Sequence, residues 1–221
     1  MSLPSGVFVP EPGDDALTCA MVSDSLDELG FRAQVLSADI LPLFDGTRVF
    51  GRASTVQFVP TEVDSDRPYD DAISYIDSLG AGEVAVVATG ANLSTAYWGE
   101  LFSAAALGRG ATGVVTDGTI RDVAKVEALR FPVFCAGRRP IDFRARMKIE
   151  SVHQRVLIGG VTVNEGDVVL GDADGVVVIP HEVEVQVLIR ARTRAAKEST
   201  VLSELLSGKS LRVVWDTYSV L

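Results

Sequence analysis

Three short, almost wholly apolar runs, EVAVVATG at 83–90, GVVTDG at 113–118 and PVFCAG at 132–137, alternate with segments of helical periodicity. Runs of this length that end in glycine are buried strands, and helices between them make those strands largely parallel members of an α/β sheet. RVFGRASTVQFVP at 48–60 reads as a further strand and DRPYDDAISYIDSLG at 66–80 as a helix, with two more helices at 99–108 and about 121–129. An N-terminal helix is expected over about 14–30. Leu17, Ala20, Met21, Leu26 and Leu29 fall at helical spacing there, Asp14 and Asp15 occupy the first turn, and Gly30 stops it.

Beyond Pro140 the texture changes. VLIGGVTVNEGDVVLGDADGVVVIP packs short β-type runs between Gly, Asn and Asp turns without room for helices, so a β layer is expected over about 155–180. From His181 to about Ser207, Val183, Val187, Ala191, Ala195, Val201, Leu205 and Leu206 mark one face of a long amphipathic helix ending before Gly208. With 221 residues, no repeat and no linker, residues 1–221 read as one domain of several layers.

Hydrophobic residues make up 47% of the chain and charged residues 23%, which excludes disorder as the main state. No apolar run approaches the ~20 residues of a membrane helix. A net charge of -10 opposes direct nucleic-acid binding. Cys19 and Cys135 stand 116 positions apart, encoding neither a disulfide framework nor a structural zinc site. The N-terminus lacks the basic flank and apolar stretch of a signal peptide. A reducing cytoplasm is the expected setting, and the Asn-Leu-Ser sequon at Asn92 is then a chance match.

Several motifs dissolve on inspection. GRGATG at 108–113 has dinucleotide-loop spacing but ends a helix and leads into a strand, the reverse of the order that chemistry needs. GDADG at 171–175 resembles the start of a calcium loop, yet the twelfth loop position falls on Val183, so Asp167, Asp172 and Asp174 read as turn formers. His153 and His181, the only histidines, offer little material for a zinc site or a Ser-His-Asp triad. Cys135 reads as a core residue.

The informative stretch runs from Trp98 to Val123, where VAVVATG is read as leading into Gly99 and Glu100, and GVVTDG into Arg121 and Asp122. In open α/β sheets ligands bind where strand carboxyl ends meet helix N-termini. The amides of Leu101 and Phe102, opening the 99–108 helix, can hold a carboxylate or enolate oxygen. Arg121 offers a planar fork for a carboxylate, and Asp122 a hard oxygen for Mg²⁺.

At these residues the chain resembles the family of the 4-hydroxy-4-methyl-2-oxoglutarate aldolases (class II pyruvate aldolases) and the regulators of ribonuclease E activity, the RraA-like proteins. That family's aldolase hallmark is an acidic residue, twenty intervening residues, then Arg-Asp; here Glu100 precedes Arg121 and Asp122 at that spacing. DGTIRDV at 117–123, PVFCAG at 132–137 and GGVTVNEGDVVLGDADGVVVIP at 159–180 extend the resemblance over most of the chain. Two positions depart: Glu100 stands where the aldolases carry Asp, and Ala145 precedes Arg146 where relatives read glycine.

The resemblance implies a swivelling β/β/α fold and a trimeric ring or a dimer of trimers with sites at subunit interfaces. It implies a Mg²⁺- or Mn²⁺-dependent lyase that releases pyruvate from a small 2-oxo acid with a 4-hydroxyl or 4-carboxylate, with oxaloacetate decarboxylation as a related activity. In that chemistry Asp122 binds the metal, Arg121 pairs with the substrate carboxylate, and Glu100 orders a water that protonates the enolate. No Schiff-base lysine is needed, and no lysine is read as lying in these loops. The resemblance also brings Glu198 of the terminal helix to a neighbouring subunit's site; the local alternative is an ion pair of Glu198 with Arg194. A non-catalytic regulatory binding protein is the competing class, and a methyltransferase, for which no cofactor loop is present, the weakest.

Overall fold

The computed structural model describes residues 8–219. Residues 1–7, the start of the segment read as lacking a signal peptide, lie outside the described residues. A short turn of 3-10 helix, Asp14–Ala16, precedes α1 (Cys19–Glu28), β1 (Leu41–Pro42), β2 (Val49–Pro60), α2 (Asp70–Ser78), β3 (Glu83–Ala88), β4 (Ala96–Trp98), α3 (Glu100–Gly108), β5 (Gly113–Ile120), α4 (Val123–Ala128) and β6 (Val133–Arg138). Then follow β7 (Met147–Val152), β8 (Val156–Ile158), β9 (Val161–Val163), β10 (Val168–Asp172), β11 (Gly175–Ile179), α5 (Glu184–Leu206) and α6 (Leu211–Tyr218).

One mixed sheet dominates, in the order β1-β6-β5-β3-β2-β10-β11, with β4 beside β5 and β7 beside β2. β2, β3, β5 and β6 run parallel as expected, whereas β1, β7, β10 and β11 join antiparallel. Segment 34–36 pairs with β11, through Leu36 N to Val176 O at 2.9 Å and Val178 N to Gln34 O at 2.8 Å, just before β1 pairs with β6. One stretch of chain thus draws the two ends of the sheet together.

Both faces are covered. Ala85 and Val87 of β3 pack with Tyr75 and Ile76 of α2 and Ala106 of α3, while Val84, Val86 and Ala88 pack on the β8–β9 hairpin. This period-2 division explains why the strands carry nearly continuous apolar runs. A third cluster joins Val22 and Leu26 of α1 to Leu170, Val177 and Ile179 of the sheet and Val187, Leu188 and Ala191 of α5.

Several expectations are corrected. The N-terminal helix begins at Cys19, where the Thr18 hydroxyl accepts from Met21 N at 3.2 Å. Asp14 is buried and paired with Arg192 at 2.7 Å, so it serves a tertiary contact and not the first turn. The expected β layer divides: β10 and β11 join the main sheet through β2, and among the described residues only β8 and β9 form a sheet of their own. β7, whose MKIESV mixes charges into an edge position, and α6, beyond the left-handed Gly208, were not legible as elements. The long helix starts at Glu184, whose carboxylate makes a bidentate pair with Arg52 at 2.6 and 2.8 Å. The reading of GRGATG as a helix end holds, with Gly110 at φ +83° following α3. No helix among the described residues is long and apolar enough to cross a membrane.

Candidate active site

The strand that delivers Gly99 is β4, not β3 as expected; β3 ends at Ala88, before a loop held by buried Asp117, which accepts from Thr89 N at 2.7 Å and Ala91 N at 2.8 Å. β4 pairs in parallel with the end of β5, Trp98 facing Ile120, so both carboxyl ends open side by side. Gly99-Glu100 and Arg121-Asp122 are therefore neighbours, and Arg121 N donates to Trp98 O at 3.0 Å.

Asp122 lies just before α4 with φ +57°, a left-handed conformation that Asp tolerates better than most residues. Its side chain does not cap α4. Oδ2 instead accepts from the backbone N of Glu100 at 3.4 Å, across the junction with α3. A Cβ at Gly99 would lie 2.8 Å from Asp122 Oδ2 and 3.2 Å from Arg121 Cγ, so any larger residue there would push these two side chains from the positions they hold. Gly99 at the N-cap has no side chain to offer α3, and beyond the long Asp122 contact to Glu100 N its first-turn amides, those of Leu101 and Phe102 among them, have no intrahelical acceptor. The Leu101 side chain is exposed, and Phe102 packs edge-on against Trp98 at 5.7 Å.

Arg121 is flanked by two carboxylates: Nη1 lies 2.7 Å from Asp142 Oδ2 and Nε 3.8 Å from Asp122 Oδ2. Tyr69 donates its hydroxyl to Asp142 Oδ1 at 3.2 Å. Burial and then the Asp142 charge push the Tyr69 phenol above its ordinary range, keeping it a donor. Asp142 and Tyr69 had no signal in the sequence. Asp142 reaches the site because its backbone bridges Ala96 of β4.

Glu100 faces a partner that sequence reading placed elsewhere. Lys125 of α4 sets Nζ 2.8 Å from Glu100 Oε2, and that hydrogen bond raises the lysine pKa. Ala145 adopts φ +54°, which favours glycine, and Arg146 turns its guanidinium to the carbonyls of Asp142 and Arg144 at 3.2 Å each.

Gly99, Leu101, Phe102, Arg121, Asp122 and Asp142 border one cavity of about 460 Å³, whose inner wall is largely aromatic and aliphatic. On the far side of Arg121 and Asp122 lies a groove of about 450 Å³ lined by Arg138 and Arg139. Of the residues singled out from sequence, five come together here: Gly99, Leu101, Phe102, Arg121 and Asp122; Glu100, between Gly99 and Leu101, borders neither cavity and turns its carboxylate to Lys125.

Glu198 does not join them within one chain. It lies on α5, which packs on α1 and α6, and no residue of α5 borders either cavity. Its local alternative is not formed either, since Arg194 pairs with Glu28 at 2.8 Å and Asp24 at 3.3 Å. Elsewhere, His153 stands 3.2 Å from Ser78 Oγ and 3.0 Å from Glu165, more triad material than the sequence suggested. The Ser78 hydroxyl donates to Tyr75 O at 2.7 Å, which ties it to the end of α2.

Residues 19–178 match the RraA-like family, described as Aldolase/RraA. The chain belongs to this family. It is 33% identical over 184 residues to a Halalkalibacterium halodurans protein named "Putative 4-hydroxy-4-methyl-2-oxoglutarate aldolase", covering 82% of this chain and 80% of that one. It is 30% identical over 199 residues to protein DlpA of Legionella pneumophila; that match covers 90% of this chain but spans only 32% of the Legionella protein. Among solved structures, Streptomyces coelicolor RraAS2, described as an unusual member of the RNase ES inhibitor RraA protein family, superposes with a TM-score of 0.80 at 27% identity, over 89% of this chain and all of that one. The mixed sheet and C-terminal helix of this RraA-like chain are thus the swivelling β/β/α fold that the sequence implied.

Proposed function

We propose that the protein is a divalent-metal-dependent lyase that cleaves a carbon–carbon bond in a 2-oxo acid bearing a 4-hydroxyl or 4-carboxylate and releases pyruvate. The observation that carries it is the junction of Arg121, Asp122 and the Leu101 and Phe102 amides at the start of α3 around one cavity.

The donor set fits Mg²⁺ or Mn²⁺ of the water-rich kind. Asp122 presents a carboxylate that is 40% exposed and engaged only by a long amide contact and a distant guanidinium. Such ions commonly take one or two carboxylates and keep several waters. No group of three His, Cys, Asp or Glu side chains among the described residues forms a full protein cage. Asp122 would hold the metal, which when bound supplies Lewis-acid polarisation of the 2-oxo group.

The rest of the chemistry belongs to the chain. Arg121 engages Asp142 through Nη1, and the remaining edge of its fork pairs with the substrate carboxylate. Asp142, held by Tyr69 and by Arg144 N at 2.7 Å, fixes that fork in place. The amides of Leu101 and Phe102 hold an oxygen of the same carboxylate at the positive end of α3. Glu100, steadied by Lys125, holds the water that returns a proton to the carbon left by cleavage.

The RraAS2 likeness favours a second reading, a regulatory binding protein. A binding face alone requires no carboxylate beside an arginine at an open helix start, and this supports the enzyme. A trimeric ring or dimer of trimers belongs to the same proposal, as does a cytoplasmic setting, in keeping with two buried free cysteines. Purified protein incubated with oxaloacetate and Mg²⁺ is expected to form pyruvate well above the metal-only rate. No gain with either Mg²⁺ or Mn²⁺, tested also on 4-hydroxy-4-methyl-2-oxoglutarate and on 4-hydroxy-2-oxo-4-phenylbutanoate, would favour the regulator.

A further inference from the structure

We propose that the cavity beside Arg121 takes an apolar, ring-sized substituent on C4 of the substrate, so that the preferred substrates are 4-aryl or bulky 4-alkyl 4-hydroxy-2-oxo acids and not dicarboxylates. This substrate class presupposes the lyase chemistry proposed above and assigns the part of the cavity that chemistry leaves unused.

Volume comes first. About 460 Å³ falls within the ~300–1,000 Å³ of pockets that enclose drug-sized ligands, several times what a three-carbon acid fills. The lining comes second. Behind Arg121 the wall is made by Ile73, Ile76, Tyr97, Trp98, Phe102 and Phe143. Trp98 is held from behind by Phe131, stacked at 6.2 Å with 7° between ring planes, and by Ser103 Oγ, which accepts from its indole N–H at 2.9 Å. The wall is therefore preformed.

Charge decides between an apolar group and a second carboxylate. The charged side chains bordering the cavity, apart from Arg121, are Asp77, Asp122 and Asp142, and the phenols of Tyr69 and Tyr97 are its neutral polar groups. Asp77 is paired outward with Arg109 at 2.5 Å, and Arg121 is already flanked by the other two acids. A second substrate carboxylate in this cavity would lose water and meet like charge; an aromatic ring would lose nothing polar. The groove of Arg138 and Arg139 is the alternative home for a second carboxylate. It does not border Gly99, Leu101 or Phe102, the helix start that orients the first one, whereas the apolar cavity borders all three.

The test uses the full chain with Trp215→Phe, which leaves Trp98 as the only tryptophan, in Mg²⁺ buffer. The ligands are 4-phenyl-2-oxobutanoate, which lacks the 4-hydroxyl and cannot be cleaved, and 2-oxoglutarate. The phenyl ligand is expected to quench Trp98 and bind at least about tenfold more tightly, or ~1.4 kcal/mol. Ala105→Phe, which fills the cavity from an exposed position on α3, should remove at least about tenfold of that affinity, a loss on the scale of a filled apolar pocket. Ile73→Arg, on the half-exposed opposite wall, should reverse the preference toward 2-oxoglutarate, and Arg139→Ala should leave it unchanged. Equal or tighter binding of 2-oxoglutarate, or phenyl affinity indifferent to both cavity variants, would overturn the proposal. Cleavage assays separate the two ideas. Pyruvate from 4-hydroxy-4-methyl-2-oxoglutarate but not from 4-hydroxy-2-oxo-4-phenylbutanoate would leave a lyase and overturn the apolar assignment. Cavity-dependent phenyl binding without cleavage of any 4-hydroxy-2-oxo acid would support the assignment and sink the lyase.

Discussion

A methyl group at residue 99 would stand 2.8 Å from the carboxylate of Asp122, so closely does the Gly99 loop lie against the Arg121-Asp122 loop that the β4–β5 pairing sets beside it. That pairing brings an exposed acid, an arginine and the open end of a helix within reach of one small molecule. In the proposed chemistry Arg121 is the residue whose shape matters most, because its planar fork holds Asp142 on one edge and would take the substrate carboxylate on the other. Arg121→Lys is expected to lower kcat/KM strongly with the fold unchanged; a value within about twofold of wild type, ~0.4 kcal/mol, would show that a point charge suffices. The spacing of Glu100, Arg121 and Asp122 was legible through the family resemblance; of the two strands that deliver these residues, β5 was read from its apolar run and β4 was not. Asp142, Tyr69 and Lys125 were not, since each arrives from a different element and carries no motif of its own. The left-handed backbone of Ala145 suits the glycine that the resemblance implies at that position.

At the level of elements, burial on both faces made the parallel strands and the helices between them readable. The elements that escaped have a common physical cause. β4 is three residues long, and β7 alternates charged with apolar residues at the margin of the sheet, so neither carries enough apolar periodicity to stand out. Helix starts were misplaced where a tertiary contact overrode a local signal. Asp14, read as a first-turn acid of α1, is taken by Arg192, and Thr18 caps the helix in its place. Thr18→Ala should accordingly destabilise the fold by about 1 kcal/mol. That corresponds to a drop in Tm of about 2–4 °C in a chain of this size, with catalysis unaffected. An unchanged Tm would contradict Thr18 as the cap.

For the whole molecule, the question is whether one chain makes a complete site. Glu198 lies on α5, among the contacts of α1 and α6 and away from both cavities, without an ion-pair partner among the described residues. A ring of subunits is the arrangement that would bring it to a substrate. Mixing Asp122→Asn subunits with Glu198→Gln subunits, each inactive alone, is then expected to restore part of the activity, because some interfaces combine an intact half from each. Full activity of Glu198→Gln on its own would rule out any role for that carboxylate. The overall fold was legible through the resemblance and the strand alternation, but the joining of β10 and β11 to the main sheet was not, because hairpin texture does not reveal which strand an edge will pair with. The central claim, that Asp122 makes this a metal-dependent lyase, is tested most directly by pyruvate release from oxaloacetate in Asp122→Asn across a Mg²⁺ titration. Loss of the metal-dependent rate with an unchanged circular dichroism spectrum is the expected result, since one exposed carboxylate is removed from a loop. A Mg²⁺ response equal to that of the wild type would contradict it.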